Sequence, residues 1–153
     1  MRQSLPFELS KEQSFFDSLG DWMGDVLYDE LPEKGLECRD EQIFMAYQIE
    51  KVLREKSILF AEAGVGTGKT IAYLLPAITY ARYTGKPALI ACADETLIDQ
   101  LVKEGGDIYK LQKLLDLNID VRLAKSRDQY LCLKRYEEAE QFMDGEYLDE
   151  IAV

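Results

Sequence analysis

The chain has 153 residues, enough for one domain with a real core, and no apolar run long enough to span a membrane. Its formal net charge of −11 disfavours a self-sufficient nucleic-acid binder, because such binding draws its affinity largely from neutralised phosphates. The absence of histidine excludes histidine metal sites and histidine general bases within the chain; three widely spaced cysteines argue against a disulfide framework and for a reducing, cytoplasmic setting.

Met1-Arg2-Gln3-Ser4 does not open a signal peptide. Ser10 with Gln13 reads as a capping box that starts a first helix. Phe15, Phe16, Leu19, Trp22, Met23, Val26 and Leu27 then recur at helical spacing and form one apolar stripe. Asp17, Asp21, Asp25 and Asp29 fall four apart on another face. That face is either the solvated side of a docked helix or a docking surface for a basic protein partner. Leu31-Pro32 ends the helix, and Glu33-Lys34-Gly35 turns the chain. A second helix is expected from Asp40 to Glu55, with Ile43, Ala46, Tyr47, Ile49, Val52 and Leu53 as its apolar face. Arg39 and Gln42 stand at its start. A glutamine amide offers a donor and an acceptor side by side, as adenine requires, but an ordinary exposed glutamine would look the same.

The apolar run Ser57-Ile58-Leu59-Phe60-Ala61 leads into Ala63-Gly64-Val65-Gly66-Thr67-Gly68-Lys69-Thr70, and an apolar helical pattern, Ile71 to Ala81, leads out. The spacing is that of a Walker A phosphate-binding loop, with Ala63 where glycine is commoner. Gly64, Gly66 and Gly68 let the backbone turn tightly and approach phosphates without a Cβ in the way. Backbone N–H groups form an anion nest, and the start of the next helix adds partial positive charge. Lys69 is placed for the β- and γ-phosphates, and the Thr70 hydroxyl for Mg²⁺. A structural glycine turn would lack the completing Gly68-Lys69-Thr70. ATP and Mg²⁺ are therefore the expected ligands.

The helix after the loop is expected to reach about Tyr83, with Pro76 kinking or breaking it. Residues 88–92 read as a buried strand, 96–103 as a helix, about 111–117 as a short helix and 120–124 as a further strand. This alternation implies an α/β fold, a parallel sheet with helices on both faces. Asp94-Glu95, after the apolar 89–92 run, could mimic a Walker B pair and make the chain a compact kinase-type NTPase, although no arginine-rich lid follows. Arg122, Lys125, Arg127, Lys134 and Arg135 interleave with Tyr130 and Tyr136. That pattern suits single-stranded nucleic acid, or simply a basic surface helix.

Several stretches together resemble the DinG/XPD group of superfamily 2 DNA helicases. Glu62 to Thr70 looks like its Walker A, and Arg39-Asp40-Glu41-Gln42, with Met45 after it, like its upstream Arg-x-x-Gln element. Leu97 with Gln100-Leu101 resembles the end of its motif Ia. Ser126-Arg127-Asp128-Gln129-Tyr130-Leu131-Cys132-Leu133 resembles the segment carrying the first cysteine ligand of its iron–sulfur cluster. The resemblance implies a RecA-like P-loop NTPase, here an incomplete first motor domain. It implies that Gln42, and with it Arg39, contacts adenine, and that Cys132 is one of four thiolates of a [4Fe–4S] cluster. It also implies ATP-driven movement on single-stranded and forked DNA. The organisation that follows is an acidic helical extension over 1–36, the first part of the ATP-binding domain over 37–125, and the start of the cluster insertion over 126–153. The sequence departs from the group at Cys92, Ala93 and Asp94, where the group has polar, threonine-rich residues, and no partner cysteine follows Cys132. A non-catalytic P-loop interaction module is the reading from outside enzymology.

Overall fold

Ser14, rather than Ser10, starts the first helix of the computed structural model, which describes residues 4–64 and 68–140. Both serines accept a backbone N–H three residues on, but only Ser14 has an acid there to complete the box. The Ser14 hydroxyl accepts from Asp17 N at 3.2 Å, and Asp17 reaches back to Ser14 N at 3.3 Å. Ser10 closes a separate turn through Gln13 N at 3.0 Å, while the Gln13 side chain goes to Asp21 instead. Helix α1 (Phe15–Gly24) continues through a π-helical turn (Asp25–Glu30) into the short α2 (Leu31–Glu33). Val26 and Leu31 are both buried, and their five-residue step is the one a π turn keeps on one face; Leu31 N returns to Val26 O. Gly35, at φ +82°, follows the helix and turns the chain.

Helix α3 (Asp40–Glu55) has the expected bounds and ends on Lys56 in the left-handed region. Helix α4 (Lys69–Thr84) runs through Pro76 without breaking, and a left-handed Gly85 closes it. Helices α1, α3 and α4 pack on one another. Their core holds Leu19, Met23, Val26 and Leu27 from the first helical stretch, Ile43 and Ala46 from α3, and Ala72, Leu74 and Leu75 from α4. Phe15 stacks on Tyr83 at 3.9 Å, and Phe16 lies over Tyr80 at 5.9 Å, so an aromatic seam joins α1 to α4. The Arg82 guanidinium donates to Ser4 O at 2.9 Å and Asn118 O at 2.6 Å, tying both flanks of the sequence to α4.

Helix α5 (Glu95–Val102) is capped by Asp94, whose carboxylate accepts Leu97 N at 2.9 Å. Helix α6 (Asp107–Leu114) begins four residues before the expected 111–117 and ends earlier too. Its start is fixed by Gly106, where a Cβ would stand 2.7 Å from Gln100 O and 2.9 Å from Leu101 O. Its end is fixed by Leu117 N returning to Gln112 O at 3.0 Å around a left-handed Asp116.

The expected parallel sheet is not formed: among the described residues there is no strand. Residues 57–61, 88–92 and 120–124 carry no ladder pairing. Apolar content makes a strand only when neighbours cover its edges and helices cover its faces. Here Ile58 is 82% exposed, Phe60 95% and Leu89 93%.

The chain divides into two compact units, Met1–Val121 and Arg122–Val153. In the second, Ser126 caps a 3₁₀ turn (Arg127–Gln129), and the Tyr130 hydroxyl accepts from Lys125 N at 2.8 Å. Helix α7 (Leu133–Glu140) follows and buries none of its residues. No described helix is long and apolar enough to cross a membrane.

Candidate nucleotide-binding site

The site begins where α4 begins. Gly68 is its N-cap, at φ +70° and ψ +30°, and Lys69 and Thr70 form the start of the first turn. Val65, Gly66 and Thr67, the middle of the expected loop, lie outside the described residues. Glycine suits position 68 because the backbone is left-handed there; a Cβ would also stand 2.7 Å from Gln42 Nε2 and oblige that side chain to shift. Gly68 O accepts Gln42 Nε2 at 2.9 Å and Ile71 N at 3.2 Å.

The Lys69 ammonium donates to Ala63 O at 2.5 Å, so it spans the two ends of the loop. A carbonyl is a neutral stand-in for what this cation is suited to hold. A phosphate oxygen offers the same ammonium a charge-assisted bond of roughly twice the strength. Thr70 is half-buried and lies one turn before Tyr73 on α4. Burial pushes the Tyr73 hydroxyl pKa up, and the Thr70 hydroxyl partly offsets this. The Thr70–Tyr73 neighbourhood follows from an i, i+3 spacing on a helix and was within reach of the sequence, which did not single it out.

Of the α3 residues expected at the site, Arg39 is exposed at the N-cap, whereas Gln42 is 4% exposed. Gln42 is therefore not the ordinary surface glutamine that the sequence also allowed. Its Oε1 accepts Arg39 N at 3.4 Å while its Nε2 holds Gly68. Beside Gly64 a cavity of about 670 Å³ opens between Phe44, Met45 and Gln48 of α3 and Leu59 and Phe60 of the lead-in segment. The structure thus gathers Arg39, Gln42, Ala63, Gly64, Gly68, Lys69 and Thr70 at the junction of α3 and α4.

Two other expected residues sit elsewhere. Asp94 spends its carboxylate on capping α5, which accounts for an acid there without Walker B chemistry. Cys132 belongs to the second unit and is exposed. Among the described residues no three His, Cys, Asp or Glu side chains come together as a metal site, so these residues do not by themselves hold a cluster. Cys38 is half-buried, and burial pushes its thiol pKa up, which makes it a poor thiolate.

A left-handed glycine feeding lysine and threonine into the first turn of a helix, behind an apolar lead-in, places the chain in the P-loop class of nucleotide-binding proteins. The family model described as DEAD/DEAH box helicase matches residues 45–141, and the chain belongs to that family. It is 63% identical over 142 residues to a Bacillus subtilis protein named Probable ATP-dependent helicase YpvA, an alignment covering 93% of this chain and 22% of that one. It is 41% identical over 105 residues to ATP-dependent DNA helicase YoaA of Haemophilus influenzae, covering 69% of this chain and 16% of that one. It is 26% identical over 148 residues to 3'-5' exonuclease DinG of Bacillus subtilis, covering 95% and 16%. The resemblance to the DinG group is thereby borne out, and with it a RecA-like helicase domain, though not the sheet. The chain spans about a fifth or less of the length of these relatives. No solved structure matches it.

Proposed function

We propose that this chain is the ATP-binding front part of the first motor domain of a DinG-type ATP-dependent DNA helicase. The observation that carries this reading is the placement of Lys69 and Thr70 in the first turn of α4 behind a left-handed Gly68. The triphosphate lies against the amides from Ala63 to Thr70, including Val65, Gly66 and Thr67. Lys69 exchanges Ala63 O for the β- and γ-phosphates, and the Thr70 hydroxyl takes Mg²⁺. Arg39 and Gln42 border the nucleotide from α3. Residues 57–61, 88–92 and 120–124 are strands of a parallel sheet whose remaining strands belong to the longer protein.

In that protein, hydrolysis drives movement along single-stranded DNA and opens forked duplexes. The exposed basic residues of 122–135, with Tyr130, meet the strand. Cys132 supplies one thiolate of a [4Fe–4S] cluster whose other ligands are encoded further on, in the insertion that starts near residue 126. The four aspartates of the first helical stretch line a groove of about 670 Å³ with Gly20, Gly24 and Tyr47, and a basic protein partner suits it.

Titration with a fluorescent ATP analogue and Mg²⁺ tests the nucleotide claim. The chain binds and does not turn over ATP, and Lys69→Ala weakens binding by about a hundredfold or more. Steady hydrolysis by the pure chain, abolished by Lys69→Ala, would overturn the partial-motor reading. The longer protein, purified without oxygen, should be brown and lose its colour on Cys132→Ser. A colourless, fully active preparation removes the cluster.

A further inference from the structure

We infer that the groove between the first helical stretch and α3 takes an extended, arginine-bearing segment of a protein partner. One guanidinium meets the unused oxygen of Glu50, and another meets the row of Asp25, Tyr28 and Asp29. The inference rests on the reading of this groove as a docking surface for a basic partner.

Five carboxylates line the groove and a single cation, Arg54. Arg54 shows what these walls hold. Its guanidinium lies 5.5 Å over the Phe16 ring, 3.6 Å from Asp17 and 2.8 Å from Glu50 Oε1. Its Nε donates to the same Glu50 oxygen at 3.0 Å. Glu50 is 6% exposed, yet no described donor meets its Oε2. A buried carboxylate oxygen left without a donor is costly, so this one calls for a donor from outside the chain. The outer row is open as well. Asp21 accepts only the Gln13 amide, at 3.2 Å, and Asp25 and Asp29 form no ion pair with a described residue.

The spread of these acids selects the kind of ligand. Among the described residues no three His, Cys, Asp or Glu side chains converge as a metal site, so a single ion does not suit them. Carboxylates four residues apart rise roughly 6 Å along a helix, and alternate side chains of an extended segment stand about 6–7 Å apart. A chain with a cation at every second residue therefore matches the row. The rings select arginine over lysine. Tyr28 is 59% exposed, and Tyr47 is held in the wall by donating its hydroxyl to Gly20 O at 3.1 Å. Gly24 leaves room for it, since a Cβ there would stand 3.1 Å from the Tyr47 hydroxyl oxygen. A guanidinium stacks on such rings and bonds carboxylates through a planar fork, whereas an ammonium is a strongly hydrated point charge.

Calorimetric titration of the chain with two end-blocked peptides, Arg-Ala-Arg-Ala-Arg and Lys-Ala-Lys-Ala-Lys, at low ionic strength tests this. The arginine peptide is expected to bind about threefold or more tighter than the lysine peptide. Glu50→Gln and the double variant Asp25→Asn/Asp29→Asn should each weaken it about tenfold. Tyr28→Leu should bring the arginine peptide down to the affinity of the lysine peptide. Asp25, Tyr28 and Asp29 are exposed, so their variants keep the parent melting temperature and the test stands even if Glu50→Gln unfolds. Equal affinity of the parent chain for both peptides overturns the arginine assignment and leaves the groove a general basic-partner surface. Binding of neither peptide, or binding unchanged in the double aspartate variant, overturns the docking reading and the inference with it. Self-association in sedimentation velocity, abolished by the double aspartate variant, would assign the groove to the basic residues of a second copy and overturn the protein partner.

Discussion

Asp17 closes the capping box of α1 and also faces the Arg54 guanidinium at 3.6 Å. Its carboxyl is held below the usual carboxylate range, first by the Ser14 hydroxyl at 2.7 Å, which outweighs the opposing effect of burial, and to a lesser degree by the Ser14 N–H and Arg54. A carboxyl whose folded pKa is depressed contributes stability that is fully present above its unfolded value and is lost as pH falls through its folded value. Ser14→Ala removes the largest cause of that depression. The variant should melt lower than the parent sequence at neutral pH, and the gap should narrow, to the share of the Asp17 N–H cap, as pH falls through the acidic range in which Asp17 protonates. Melting curves at constant ionic strength, from neutral to strongly acidic pH, check this. A gap that stays constant into acid would show that Ser14 acts without Asp17. The Asp17 side chain is about half exposed, 52%, so salt should shrink the Arg54 share of the effect and leave the Ser14 share.

Among the elements, helices were legible wherever a local device marks both ends. The bounds of α3 follow from Asp40 and Glu41 in its first turn and Lys56 beyond its last, and those of α4 from Gly68 and Gly85. The reading of α6 slipped because Leu111, Leu114, Leu115 and Leu117 draw the helix towards themselves. The deciding signal is the glycine pair before it: Gly105 is left-handed, and Gly106 faces three carbonyl oxygens. Ser10 misled for a similar reason, since a serine followed three residues later by glutamine is a capping signature whether or not a helix follows. The Gly68-Lys69-Thr70 start of the site was legible because a phosphate loop is local. The hold of Gln42 on Gly68 was not, because it joins residues 26 apart and depends on how α3 lies on α4. The strands fail for the same reason in stronger form. Periodicity reports which residues are apolar, whereas a parallel strand also needs ladder pairing with segments distant in sequence, and among the described residues 57–61, 88–92 and 120–124 are assigned to no strand.

At the scale of the whole molecule, this absence gives one substitution opposite consequences in two settings. Phe60 is 95% exposed and Ile58 82%, on a segment whose backbone is not laddered. An apolar patch of this kind is rarely left open to water, and a parallel sheet would cover it from both faces. In the chain by itself, Phe60→Ala touches no packed surface, so the unfolding free energy should change by no more than about 0.5 kcal/mol. Fluorescence of an apolar dye and any concentration-dependent association should fall, because the largest exposed ring of the lead-in is gone. In the longer protein, where the proposed sheet encloses Phe60, the same change removes a buried ring and should cost about 3–5 kcal/mol. Urea unfolding of both proteins, with and without the substitution, compares the two values directly. A cost of several kcal/mol in the chain by itself would mean that Phe60 is already enclosed there. A negligible cost in the longer protein would mean that residues 57–61 never enter a sheet, and the strand that should deliver the chain into the phosphate loop would have to be given up.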